Sequence, residues 1–318
     1  MSQAERLMLI ASPLMKRTPA FDRALALAKA QDAALHIVAF DYVEALATAG
    51  LVNEQALREM KEGYLDRHRD WLEQQVVPMR RSGVHVTHEV SWVTRPLDEI
   101  MAHIREMKPS MVIKDLEHQS WLSRAMFTSL DERLLRECPV PLHLVAHLTH
   151  AIPRKVLAAV DPFRPEEQHD GLNDRIIFTA EKLAAQCNAD LHLLYAYDLS
   201  SVFGWDSDMA FSSEAQEQIY ASDKDAFDSL AARFGVPPDR KHLVMGNPAK
   251  VIETFIRTHG FDVVVMGTVH RSALNKWLGS TTEQVAHHME TSLLTISPGQ
   301  SSHAGTNLVN NDKDLNAD

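Results

Sequence analysis

The sequence predicts an α/β fold made of two tandem doubly wound domains, each a five-stranded, mostly parallel sheet with helices on both faces. Three observations carry this expectation. Three blocks of sequence recur in the same order in both halves, short apolar runs alternate with longer amphipathic stretches, and 318 residues suffice for two ordinary domains. In the first block RLMLIASP, from Arg6 to Pro13, matches KVLAAVDP, from Lys155 to Pro162. In the second, DAALHIVAF, from Asp32 to Phe40, matches NADLHLLYA, from Asn188 to Ala196, with Leu-His at the same place. The third runs without a gap, Arg95 to Asp115 against Asn247 to Gly267, setting Pro96 over Pro248, Ile100 over Ile252 and Ile104 over Ile256.

Each copy reads the same way. A first apolar strand leads to a helix whose start in the first copy is Thr18-Pro19, with Thr18 as N-cap and Phe21, Ala24, Leu25 and Ala28 on one face. The second strand carries the Leu-His pair. A longer helical stretch follows, roughly 53–81 and 212–234, closed by Gly83 and Gly235 as C-caps. A third strand, a helix starting near Pro96 or Pro248, a fourth fully apolar strand, a loop, a last helix and a fifth strand complete the unit. Strands alternating with helices require a parallel sheet covered on both faces. The boundaries are 1–150 for the first domain and 151–298 for the second; 299–318, nearly without apolar residues, reads as a disordered tail.

The totals narrow the function. A formal charge of −11 argues against a surface that tracks nucleic-acid phosphates, since such binding draws on Lys and Arg. Two cysteines, Cys138 and Cys187, suit a reducing compartment and are expected to be free thiols. The opening residues lack a leader-type apolar segment and no window approaches a membrane span, so a cytoplasmic protein without a membrane partner is expected.

The stretch MGTVHRSALNKWLGSTTEQV, from Met266 to Val285, bears most directly on chemistry. A strand ending at Gly267, a loop, and a helix opened by Gly279, Ser280 and Thr281 aim free backbone N–H groups at the carboxyl edge of a sheet, where an anion binds. A small residue at Gly267 or Gly279 is equally what a strand needs where it packs tightly on a helix. Asp161, at the end of the opening strand of the second copy, presents a carboxylate at the same edge, or serves an N-cap-like or turn role before Pro162.

These features together, an opening strand ending in Val-Asp, a Gly-x-Pro-type turn before the third helix and a Met-Gly-Thr strand end followed by Gly-Ser-Thr, resemble the universal stress protein family in its tandem form. The resemblance covers nearly the whole chain to about Pro298. It implies ATP or AMP held at the carboxyl edge, with Mg accompanying ATP and no other metal. The family's phosphate motif is Gly, two residues, Gly, nine residues, then Gly with Ser or Thr. Carried onto this chain, it marks Asp161, Met266, Gly267, His270, Gly279, Ser280 and Thr281 as nucleotide-binding. Two departures stand out: His270 replaces the second Gly, and eight residues rather than nine separate it from Gly279. A protonated His270 would pair with phosphate; an uncharged one would plug the pocket.

The first copy departs further, with Ser12 opposite Asp161, Asp115 opposite Gly267 and Phe127-Thr128 opposite Gly279-Ser280. A carboxylate at Asp115 would repel phosphate, so that half is expected to be degenerate. By analogy with single-domain members, Leu142–Val145 and Leu293–Ile296 are the expected edges of an internal pseudo-dimer, and a homodimer is also open. The 17 histidines, including His85, His88, His143, His147, His287 and His288, lack metal-type spacing, and no Walker pattern or Gly-x-Ser-x-Gly elbow occurs. Lys276 is read as solvated. Tyr195 to Phe211, with Phe203 and Trp205, reads as a lid or interdomain loop. A non-catalytic stress-response protein that senses or holds nucleotide in its second domain is expected; the alternative is a scaffold or carrier for an apolar small molecule or partner protein.

Overall fold

The computed structural model describes residues 5–41, 54–116, 130–162, 171–198, 213–268, 280–288 and 291–297. The first half runs β1 (Arg6–Ala11), α1 (Pro19–Ala30), β2 (Ala34–Asp41), α2 (Glu54–Arg81), β3 (Val86–Trp92), α3 (Pro96–Met107), β4 (Met111–Asp115), α4 (Leu130–Glu137) and β5 (Leu142–Val145). The second runs β6 (Lys155–Ala159), α5 (Leu172–Cys187), β7 (Asp190–Tyr197), α6 (Ser213–Arg233), a 3-10 turn (Pro238–Arg240), β8 (Lys241–Met245), α7 (Pro248–His259), β9 (Val263–Gly267), α8 (Ser280–His288) and β10 (Ser292–Ile296).

The ten strands of the described residues form one sheet in the order β3-β2-β1-β4-β5-β10-β9-β6-β7-β8. Within each half every pairing is parallel. The halves meet where β5 pairs antiparallel with β10, Leu144 opposite Leu293 and His143 opposite Leu294. These are the two edges expected from the sequence. Joining them removes two free strand edges that would otherwise invite association.

Parallel strands buried on both faces read as continuous apolar runs, and Leu7 to Ile10 and Val263 to Met266 are buried throughout. Two core layers result, one on each face, and each crosses the seam between halves. One packs α1, α2, α5 and α6 on the sheet, through residues such as Phe21, Val76, Ile177 and Phe227. The other packs α3, α4, α7 and α8, through Ile100, Leu134, Ile252 and Val285.

Local signals mostly fall as expected. Pro96 and Pro248 each open a helix, Gly83 and Gly235 carry the positive φ of a C-terminal turn, and Asn247 caps α7 by accepting the Lys250 N–H at 3.3 Å. Both cysteines are buried thiols outside any disulfide. Two readings need correction. Thr18 occupies the N-cap position of α1, but its side chain makes no capping bond; the Asp115 carboxylate accepts the Ala20 N–H instead, at 3.0 Å. Tyr195 to Tyr197 are not loop but the end of β7, with Tyr195 buried against Phe227. The rest of that aromatic segment, including Phe203, Trp205 and Phe211, lies outside the described residues, as do Lys276 and the 299–318 tail.

Candidate functional site

Strand order locates the site. In the second half the chain leaves β6 in one direction along the sheet and later places β9 on its other side, so the carboxyl ends of β6 and β9 flank a topological switch point. Such a reversal opens a crevice between the helices above it. The parallel register sets Val156 beside Val263 and Ala158 beside Val265, which brings the ends of β6 and β9 to the same edge. Asp161 follows the first of these strands and Gly267 ends the second.

Gly267 is half-buried, and its lack of a side chain is enforced by packing. A Cβ there would meet Leu172 Cδ2 at 2.6 Å and Ile176 Cδ1 at 3.1 Å, both on α5. Its carbonyl accepts the Thr282 hydroxyl at 2.8 Å, so the first turn of α8 is clasped to the tip of β9. Met266 is buried and points into the core layer of α7 and α8. Thr281 is half-buried beside that clasp, and Ser280 is the first residue of α8. His270 and Gly279 lie outside the described residues.

Asp161 is exposed, and its backbone is held on both sides by Asn173: Nδ2 donates to the Asp161 carbonyl at 2.9 Å, and Oδ1 accepts the Asp161 N–H at 3.1 Å. A second carboxylate, Asp223 of α6, lies within electrostatic reach. Burial raises its pKa, the Tyr195 hydroxyl pulls it down, and the negative Asp161 raises it again. At the other end stands Arg175, in the first turn of α5, whose Nη2 donates to the Ser297 carbonyl at 2.5 Å. Ile296 pairs with Gly267, so this guanidinium sits at the carboxyl edge next to the strand end. The edge therefore carries a cation and a helix N-terminus at one end and two carboxylates at the other. Asn173, Arg175 and Asp223 have no motif spacing of their own, and only the fold brings them to Asp161 and Gly267.

The first half fills the corresponding edge with its own charges. Asp115, where the second half has Gly267, turns its carboxylate onto the N-terminus of α1. Burial raises the Asp115 pKa, while the Thr18 hydroxyl, the Ala20 N–H and the Lys114 ammonium lower it. Lys114 in turn pairs at 2.9 Å with Asp131 in the first turn of α4, with both residues buried. The strand-to-helix clasp is thus an ion pair in one half and a hydroxyl-to-carbonyl bond in the other. Farther along the edge, β2 ends in Asp41, buried and 2.6 Å from His68 Nδ1, whereas β7 ends in Tyr197, whose ring lies 5.9 Å from that of Tyr220. Phe127 and Thr128 lie outside the described residues.

Among the described residues no group of three or more His, Cys, Asp or Glu is arranged to hold a metal, and no helix is long and apolar enough to cross a membrane.

Comparison with known proteins agrees with this architecture. The family model described as the universal stress protein family matches residues 12–146 and 153–297. Universal stress protein E of Escherichia coli K12 is 28% identical over 244 residues, covering 76% of this chain and 77% of the relative. The protein of that name from Photorhabdus laumondii is 24% identical over 302 residues, covering 94% and 96%. Among solved structures, a functionally unknown protein from Pseudomonas aeruginosa PAO1 superposes with a TM-score of 0.66 at 22% identity, over 93% of each chain. A universal stress protein from Archaeoglobus fulgidus gives 0.60 at 17% identity, over 92% of this chain and 98% of its own. Two matched segments, one on each half of a continuous sheet, establish that the chain belongs to the universal stress protein family.

Proposed function

We propose that this protein is a non-catalytic stress-response protein that holds an adenine nucleotide, ATP or AMP, at the carboxyl edge of its second half. One observation carries the reading: the Thr282 hydroxyl ties the first turn of α8 to the Gly267 carbonyl at 2.8 Å. That clasp sets a helix N-terminus, with its unsatisfied N–H groups, beside the end of the strand at which the phosphate motif opens. The donor set fits such a ligand. Arg175, Thr281 and the α8 N-terminus suit phosphate oxygens; Asp161 and Asp223 are acceptors for adenine or ribose donors. Mg would accompany ATP as a partner of its phosphates.

Titration calorimetry with ATP, AMP and adenosine tests the reading. Arg175→Met is expected to weaken ATP by about tenfold or more while leaving adenosine unchanged, the size of a lost charge-assisted bond. Asp161→Ala is expected to weaken all three. Binding of ATP no tighter than millimolar and indifferent to both changes would end the proposal. A second reading, a carrier of an apolar small molecule or a partner protein, is favoured by the contact of Gly267 with Leu172, which accounts for that glycine without any ligand. It predicts that the same titrations stay silent.

A further inference from the structure

The deepest unpaired charge lies away from that edge. Arg23 of α1 is fully buried, and none of its three guanidinium nitrogens has a hydrogen-bond partner among the described residues. His143, in β5 at the seam, is buried beside the Leu293 backbone with no closer partner for its ring nitrogens among the described residues, and the Ser292 hydroxyl in β10 is likewise unpaired there. The register brings these together. His143 faces Leu294, and Ser292, two residues earlier on that strand, points to the same side. That side is the core layer of Val145, Leu294 and Ile296, where α1 packs against α5 across the seam.

The cluster is one of donors. A guanidinium has five N–H groups and no acceptor capacity. Burial and the Arg23 charge hold the His143 pKa well below the ordinary histidine value, against the Leu293 backbone, so the ring is uncharged. Arg23 itself, lowered by burial to about 10, remains a cation at neutral pH. The carboxylate within electrostatic reach is Asp262, but its oxygens already accept from the Arg154 and Lys155 N–H groups at 2.8 and 3.1 Å and meet His150 Nδ1 at 2.9 Å. Buried polar groups in native proteins are satisfied, and a buried cation needs a counter-charge as well as an acceptor. Water supplies the second and not the first.

We propose that the seam between the two halves holds a small inorganic anion of the halide class, bound by Arg23, His143 and Ser292. The site is independent of the nucleotide edge. It also breaks the internal symmetry, since the residue opposite His143 in the pairing, and equivalent to it in the repeat, is Leu294.

Crystals grown in bromide test this directly. An anomalous peak is expected within hydrogen-bonding distance of the Arg23 guanidinium. In solution, raising bromide from about 1 to about 100 mM against gluconate, at constant ionic strength, is expected to raise the unfolding midpoint by about 2 °C or more. Arg23→Met should abolish that rise and, at low halide, be at least as stable as the parent, because it removes a buried charge. Absence of the peak, or a halide response that Arg23→Met retains, overturns the proposal and leaves waters on these donors. The bromide crystal uses the unaltered protein, so the test stands even if Arg23→Met does not fold.

Discussion

At the scale of single residues, Gly267 is confined by packing. A methyl group there would force the Leu172 and Ile176 side chains of α5 to move. Gly267→Ala is expected to cost about 1–3 kcal/mol in urea unfolding, the usual penalty for overpacking a close-fitted site. A cost near zero would show that α5 yields freely and that the glycine stands there for another reason. Asp115 teaches the converse. At the matching place in the first half a carboxylate is tolerated because α1 offers it an N–H and a positive helix end.

Among the elements, β7, β8 and α7 share a titratable seam on the outer face of the second half. His192 stacks on His242 with rings 5.3 Å apart, and its Nδ1 lies 3.0 Å from His242 Nε2. Phe255 and Phe261 pack against the pair and His259 lies beside it. Burial lowers the His242 pKa to about 4, helped by its neighbours His192 and His259 and opposed by Asp239. His192 is lowered too, by burial first and then by Arg240, with Asp190 opposing. Here the native state binds protons more weakly than the unfolded chain. Stability is therefore full above the ordinary histidine value of 6.5 and lost as pH falls toward about 4. His242→Gln is expected to flatten that slope, measured as urea midpoints across the window; an unchanged slope would assign the acid sensitivity to other groups.

For the whole molecule, the decisive feature is the continuous sheet. Both core layers cross the β5–β10 seam, so neither half buries its apolar surface alone. Scanning calorimetry is expected to record one cooperative transition. Leu293→Asp places a charge at a fully buried seam position and should split or broaden that transition. Two resolved transitions in the unaltered protein would mean that the halves are thermodynamically independent despite the shared sheet.

While the edges that join the halves were expected only by analogy with single-domain family members, the sequence by itself determined the duplication, the alternation of strand and helix and the parallel halves. Those features rest on periodicity, on Pro and Gly at element ends, and on apolar runs such as Val263 to Met266, all of which act over a few residues. Tertiary structure decided the rest. The cap of α1 comes from Asp115, 95 residues away from Ala20, and not from adjacent Thr18. Asn173 fixes Asp161, Arg175 reaches the end of β10, and Arg23 comes within electrostatic reach of His143 only because α1 lies over the seam. Polar side chains reveal no partner in their spacing along a chain, since hydrogen bonds and charges act through distances that exist only once the sheet has formed.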